Sequence, residues 1–225
     1  MLSLYIHIPF CVRKCLYCGF YSTVYTPREA DGFISALKRE AISFQKRLSN
    51  RRISSIYFGG GTPTVLSLPQ IDRVMYIIRS SFLFENNPEI TAEANPHTAI
   101  TSRLKALLAH GVNRLSLGVQ SFSDGKLKAL GRLHTAKQAI DTFNRARAIG
   151  FTNIGIDLIF GLPGQTKAEW ERTLDAALRL NADHISAYNL SLEEGTHFLR
   201  QAKAGKLMLP DDEKVAEMYE LARLM

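Results

Sequence analysis

Leu2-Ser-Leu-Tyr5-Ile-His7-Ile-Pro-Phe-Cys11-Val-Arg-Lys-Cys15-Leu-Tyr17-Cys18 carries a short apolar run straight into three cysteines. The run is short, rich in β-branched and aromatic residues and closed by Pro9, so it predicts a strand over Leu2–Ile8. Behind it, C-x3-C-x2-C forms a single loop, and the chain has no other cysteine. An odd, clustered set is a poor disulfide framework, because pairing Cys11 with Cys18 leaves Cys15 over. In a reducing compartment clustered thiols serve more often as metal ligands. Three thiolates satisfy three irons of a 4Fe-4S cluster and leave the fourth without a protein ligand. An open iron can take a bidentate external ligand, and the amino and carboxylate groups of a methionine suit it. The competing arrangement is a Cys3His zinc site completed by His7. His7 lies in the strand, four residues before Cys11, where a core or a hydrogen-bond partner suits it better.

Working outward, short apolar runs alternate with longer amphipathic segments. Further strands are predicted at Ile53–Phe58, Glu89–Ala94, Asn113–Val119, Asn153–Phe160 and His184–Leu190. Helices are predicted at Pro27–Leu48, Ser67–Ser80, Thr98–His110, Thr135–Ile149 and Thr166–Leu180, followed by Thr196–Lys203 and Pro210–Met225. Thr166 with Glu169 forms a capping box, and Gly111 and Gly150 stand where helix-ending glycines belong. Repeated strand–helix alternation implies parallel strands joined by right-handed crossovers. An open doubly wound sheet and a complete or partial barrel both fit, and both place ligands at the C-terminal ends of the strands. The last helix runs to Met225 without a cap, which reads as a chain interrupted mid-pattern.

Composition sets the frame. The chain has 225 residues, 46% hydrophobic and 22% charged, the profile of a globular protein with a sizeable core. No run approaches the roughly 18 apolar residues that span a bilayer. The N-terminus has no basic n-region or small-residue cleavage site, so a cytoplasmic location is expected. Lys and Arg number 28 against 21 Asp and Glu, a formal charge of +7. The excess is spread over several helices without an aromatic-interleaved stripe, which argues against a nucleic-acid groove.

The unusual residues gather at predicted strand ends. Gly59-Gly60-Gly61-Thr62-Pro63-Thr64 follows the second strand, where glycines let a backbone approach a ligand and expose N–H groups to a carboxylate. Glu93 ends the third strand and Gln120 the fourth. Asp157 sits within the apolar run Ile-Gly-Ile-Asp-Leu-Ile-Phe, where a charge is costly to bury unless it is paired or bound.

Taken together, Tyr5–Phe20, the Gly59–Thr64 loop, Glu93-Ala-Asn-Pro96, Arg114-Leu-Ser-Leu-Gly-Val-Gln120 and Asp157-Leu-Ile-Phe-Gly-Leu-Pro163 resemble the oxygen-independent coproporphyrinogen III oxidase family of radical S-adenosylmethionine (SAM) proteins. The resemblance runs through essentially the whole chain, with the motifs in the family's order. It implies a radical-SAM partial (β/α)6 TIM-type barrel over residues 1–190, with 191–225 beginning a C-terminal helical extension that is cut short. It implies Cys11, Cys15 and Cys18 as ligands of a 4Fe-4S cluster. Tyr5, Tyr17, Gly60, Gly61, Thr62, Glu93, Gln120, Arg132 and Asp157 match SAM-contact positions, and Ser191 is a weaker match.

The family has two main branches. Its oxidases decarboxylate coproporphyrinogen III and carry a further cysteine two residues after the third. Here that position is Phe20, in a Cys-x-Phe form that resembles the heme-chaperone branch, HemW. Phe20 itself is expected to pack over the cluster. The branch resemblance implies heme or a porphyrin as ligand, an electron-donor protein and a heme-acceptor protein as partners. Family members continue into a C-terminal domain, and the chaperone branch carries a His-Asn-x-x-Tyr-Trp motif there that this chain lacks. The alternative is coproporphyrinogen oxidation to protoporphyrinogen IX.

Overall fold

A computed structural model describes residues 2–48 and 51–225. Six parallel strands form one sheet: β1 (Leu2–Ile8), β2 (Arg52–Gly60), β3 (Leu83–Ala94), β4 (Arg114–Gln120), β5 (Ile154–Phe160) and β6 (His184–Asn189). Their spatial order follows their order in the chain, without the reversal that defines a doubly wound sheet. With right-handed crossovers, sequential order puts every connecting helix on one face and curls the sheet toward a barrel. The barrel stays partial, because β1 and β6 do not pair with each other.

The helices start where the sequence supplies caps. α1 (Pro27–Arg47) follows Thr26, whose hydroxyl accepts the Glu29 N–H, and buries Ala30, Ile34, Leu37 and Ala41 along one stripe. α2 (Leu68–Ser81) opens with a Ser67–Gln70 capping box, and α3 (Thr101–Ala109) is shorter than its pattern. Asn95-Pro96-His97-Thr98 forms a turn instead, with Asn95 Oδ1 accepting the His97 N–H. A helix absent from the sequence reading, α4 (Asp124–Ala129), precedes α5 (Ala136–Ile149). α5 ends on Gly150 at φ 119°, a conformation that favours glycine. α6 (Lys167–Arg179) carries the Thr166–Glu169 capping box. α7 (His197–Lys203) and α8 (Asp212–Leu224) follow β6. No helix among the described residues is long and apolar enough to cross a membrane.

β3 begins at Leu83, six residues before its predicted start, and its pairing with β2 slips between Ile53 and Ser55. The early part, Phe-Glu-Asn-Asn-Pro, is mostly exposed and polar, so no apolar pattern marks it.

Alternation sorts the strands into two faces. Ile56 and Phe58, Ile90, Ala92 and Ala94, Leu115, Leu117 and Val119, and Ile154, Ile156, Leu158 and Phe160 all join the main core against the helices. Fully burying one such side chain contributes about 1.5–3 kcal/mol, so this layer dominates stability. The other face carries Tyr57, Glu93, Ser116, Gly118, Asp157 and Tyr188, which line a cavity. Trp170 of α6 is fully buried beside Phe160, and its indole N–H donates to the Met218 carbonyl of α8 at 2.9 Å. α8 is therefore packed against α6 in the sheet's helical layer. A smaller core of Leu130, Ile159, Leu162, Leu190 and Phe198, with Leu16 and Tyr17 against it, supports the cysteine loop from below.

Candidate functional site: a cysteine-lined cavity at the strand ends

A cavity of about 550 Å³ opens at the C-terminal ends of the strands. Cys11, Cys15, Tyr17, Cys18, Gly60, Gly61, Thr62, Glu93, Gln120, Arg132, Asp157 and Ser191 all line it. Tyr5 does not. It is 59% exposed, its ring stacks on Tyr57, and its hydroxyl lies 3.1 Å from His7 Nδ1. Tyr5 therefore meets the cavity through Tyr57.

The cysteine loop is held at several points. Phe10–Cys11 pairs in parallel with Thr23–Val24, closing the base of the loop. Leu16 donates its N–H to Leu130 O and accepts the Phe198 N–H, and Arg13 Nη2 donates to Gly131 O at 2.6 Å. Gly131, at φ 77°, leaves room for Leu16, since a Cβ there would come within 3.0 Å of it.

The three thiols are free and partly buried. Burial pushes the Cys18 thiol up, and neighbouring Cys15 and Cys11 push in the same direction. Cys11 Sγ is 3.5 Å from Thr62 Oγ1, and Arg132 Nη1 donates to Cys15 Sγ at 3.6 Å. No set of three or more His, Cys, Asp or Glu side chains among the described residues converges on a single ion. A cubane asks for something different, because its irons occupy separate corners and each thiolate meets its own. Three thiols facing one cavity, with a buried guanidinium beside one of them, fit that demand. His7 is engaged elsewhere: its Nε2 donates to Tyr21 O at 2.8 Å and its Nδ1 faces Tyr5.

The glycine loop works differently from its sequence reading. Two of its N–H groups are already used, Gly60 N–H by Glu93 Oε2 at 3.1 Å and Gly61 N–H by Ile8 O at 2.9 Å. They are not offered to a ligand carboxylate. What the loop needs is the absence of Cβ atoms. A Cβ on Gly60 would stand 2.6 Å from the His7 ring, and one on Gly61 2.6 Å from Phe10 O. Gly60, at φ 108°, is also in a backbone region that side chains rarely adopt.

Two carboxylates face the cavity from neighbouring parts of the sheet. Glu93 accepts the Tyr57 hydroxyl at 2.8 Å as well as the Gly60 amide. Asp157 accepts the Ser116 hydroxyl at 2.8 Å. Burial holds both acids above the usual carboxylate range, and it outweighs these hydrogen bonds, which pull the other way. Neither acid has a cationic partner in an ion pair among the described residues. Arg132 supplies the opposite charge across the cavity: its Nη2 donates to Gly118 O at 2.6 Å, while its Nε is buried without a partner.

Gln120 stands in a β-bulge, with Gly118 paired to Asp157 and Gln120 to Leu158. Its φ of 69° is strained for a non-glycine residue, at a cost of about 1–3 kcal/mol. Ser191 is exposed at the rim and donates to Glu193 at 2.7 Å. Phe20 also stands at the rim, 70% exposed, and is not packed over the cysteines as expected. The loop after Cys18 reaches outward, and Gly19 leans on Glu193 instead.

Sequence reasoning missed Tyr57, Ser116 and His134. Alternation placed Tyr57 and Ser116 on the same face as Glu93 and Asp157, which was a usable signal. His134 had none.

The chain is similar to known proteins of one superfamily. Residues 5–177 match the Radical SAM superfamily. The heme chaperone HemW of Bacillus subtilis is 42% identical over 98% of this chain and 59% of its own length. The mitochondrial radical S-adenosyl methionine domain-containing protein 1 of Bos taurus is 41% identical over 98% of this chain and 50% of its own length. The structure of the coproporphyrinogen III oxidase HemN from Escherichia coli superposes with a TM-score of 0.88 at 35% identity, covering 97% of this chain and 50% of that one. The chain thus spans little more than half the length of these relatives. The barrel, the cysteine loop and the match across most of the chain make it a member of the radical SAM superfamily.

Proposed function

We propose that the chain is the radical-SAM core of a heme chaperone of the HemW kind. On this reading Cys11, Cys15 and Cys18 hold a 4Fe-4S cluster, and SAM occupies the cavity beside it. Held there by Cys11, Cys15 and Cys18, a reduced cluster would supply the one-electron chemistry that cleaves a sulfonium C–S bond. The protein's own groups bind, orient and exclude water. Glu93 and Asp157, from adjacent parts of the inner face, offer acceptors to ribose hydroxyls or the ammonium group, and Arg132 offers a cation to the carboxylate. Gln120 and Ser191 add neutral polar contacts, Tyr17 and Thr62 flank the cluster, and Gly60 and Gly61 let the backbone close in. Tyr5 contributes through Tyr57.

The single observation that carries the chaperone reading is Phe20. It stands at the cavity rim where the oxidases carry a further cysteine, and the chain has no cysteine elsewhere to replace it. The identity to HemW supports the same branch. Heme is the proposed cargo, with an electron-donor protein and a heme-acceptor protein as partners, in a cytoplasm reducing enough to keep the thiols free. Coproporphyrinogen oxidation is the second reading, favoured by the close superposition on HemN. Anaerobic assay separates them. The reconstituted protein is expected to bind hemin, seen as a shifted Soret band, and to release no CO2 from coproporphyrinogen III. CO2 release coupled to SAM cleavage would overturn the chaperone reading.

A further inference from the structure

Two non-glycine residues among the described ones have positive φ, Asn181 at 52° and Gln120 at 69°. Asn181 follows α6, and asparagine tolerates that conformation at a helix end. Gln120 is neither at a helix end nor of a type that favours it, so something must hold it there. Across it, the Ser121 N–H donates to Val119 O at 2.9 Å, a three-residue turn of the strained hand. The same Val119 carbonyl receives a second bond, from His134 Nε2 at 3.0 Å. Two residues earlier, Arg132 grips the Gly118 carbonyl. The segment after α4 thus clamps successive carbonyls at the end of β4.

His134 is 3% exposed and its Nδ1 has no partner. An apolar side chain of similar volume would fill this space without leaving a buried nitrogen unpaired. What the imidazole adds is one donor aimed at Val119. The turn it holds matters for placement, because Gln120 Nε2 lies over Gly118, where a Cβ would come within 3.0 Å of it. We propose that His134 is a positioning residue that locks the Val119–Ser121 turn and thereby directs the Gln120 amide into the cavity. The functional part of this inference rests on the reading of Gln120 as a SAM contact; the structural part does not.

The test reads hydrogen exchange at the Ser121 amide in the reconstituted full chain, by fragmentation mass spectrometry. His134→Phe is expected to speed that exchange by about tenfold or more while the Leu115 and Leu117 amides keep their protection. His134→Gln, which restores a donor of similar reach, is expected to return it to within about threefold of the parent. If His134→Phe does not fold, His134→Asn takes its place, since its amide is too short to reach Val119. Unchanged exchange at Ser121, loosening of all of β4 together, or no rescue by Gln would overturn the proposal. SAM affinity gives the functional arm: His134→Phe should weaken it as much as Gln120→Ala does, and add nothing in the double variant. If Gln120→Ala leaves SAM affinity intact, the assignment of Gln120 fails, and the exchange data still decide the turn.

Discussion

Two walls enclose the cavity, and they are built on opposite principles. The cysteine loop, Cys11–Cys18, is partly exposed, rests on a small satellite core and is fastened by a few backbone bonds. Its chemistry lies in residue type alone: three thiols at a fixed spacing. The facing wall, at the ends of β2 to β5, grows out of the main core. Its chemistry lies in pairs that meet across long sequence separations, Tyr57 with Glu93, Ser116 with Asp157, and His134 with the Val119 carbonyl. On the proposed reading the loop supplies reactivity and the strand ends supply aim. Removing a group from the first should abolish a cofactor, whereas removing one from the second should misplace a ligand.

The largest effect is expected in the loop. Cys15→Ala should eliminate the cluster, measured as loss of iron and of the brown absorbance after anaerobic reconstitution. Retention of iron would break the contrast between the walls, because it would mean that another group can hold that corner.

Next comes the strand-end wall. Tyr57→Phe removes one hydrogen bond to Glu93 and leaves its oxygen under-satisfied, a loss of about 1–1.5 kcal/mol. SAM affinity should fall by roughly five- to twelvefold with iron content unchanged. Calorimetric titration checks this, and a loss of iron in Tyr57→Phe would show that the two walls are not separable.

Asp157 separates the two walls by its effect on stability. Burial raises its folded pKa, so its contribution to stability is complete below the unfolded value and is lost as pH climbs through the raised one. At neutral pH the carboxylate is therefore retained at a cost to the fold. Asp157→Asn should leave the melting temperature at pH 7 unchanged or higher while weakening SAM binding. A lower melting temperature would mark Asp157 as structural.

The smallest effect concerns His134. Burial first, then the charge of Arg132, lowers its pKa to about 4. A histidine with a depressed folded pKa leaves stability intact above its unfolded value near 6.5, and stability is lost as pH falls from there toward 4. His134→Gln should flatten that part of the melting-temperature profile between pH 6.5 and 4. The hydrogen bond to Val119 O and the charge of Asp124 pull the other way, while His97 adds to the lowering.

Legibility in the sequence followed the same division. All six strands and the capped helices announced themselves, because an apolar run and a capping Ser or Thr are local signals. The cysteine loop did so for the same reason. Glu93 and Asp157 stood out as polar groups at the ends of, or within, apolar strands, yet what orients them did not, since Tyr57 and Ser116 lie 36 and 41 residues away. The glycine loop stood out for its residue type, but the crowding that requires glycine there did not: the Gly60 and Gly61 amides bond within the protein, and His7 and the Phe10 backbone leave no room for Cβ atoms. Periodicity left partial barrel and doubly wound sheet open, because it carries no information about neighbours; the family resemblance implied the partial barrel, and the strand order agrees with it. Phe20 was legible as a substitution but not in its exposure, which depends on where the loop leads after Cys18.

On the proposed reading, the three cysteines leave one iron of the cluster open and the facing wall delivers SAM to it. Electron paramagnetic resonance of the reconstituted, dithionite-reduced protein, recorded with and without SAM, tests this directly. Binding at the open iron should change the g-values and shape of the reduced-cluster signal. A spectrum identical in both samples, at SAM concentrations that saturate binding, would contradict it.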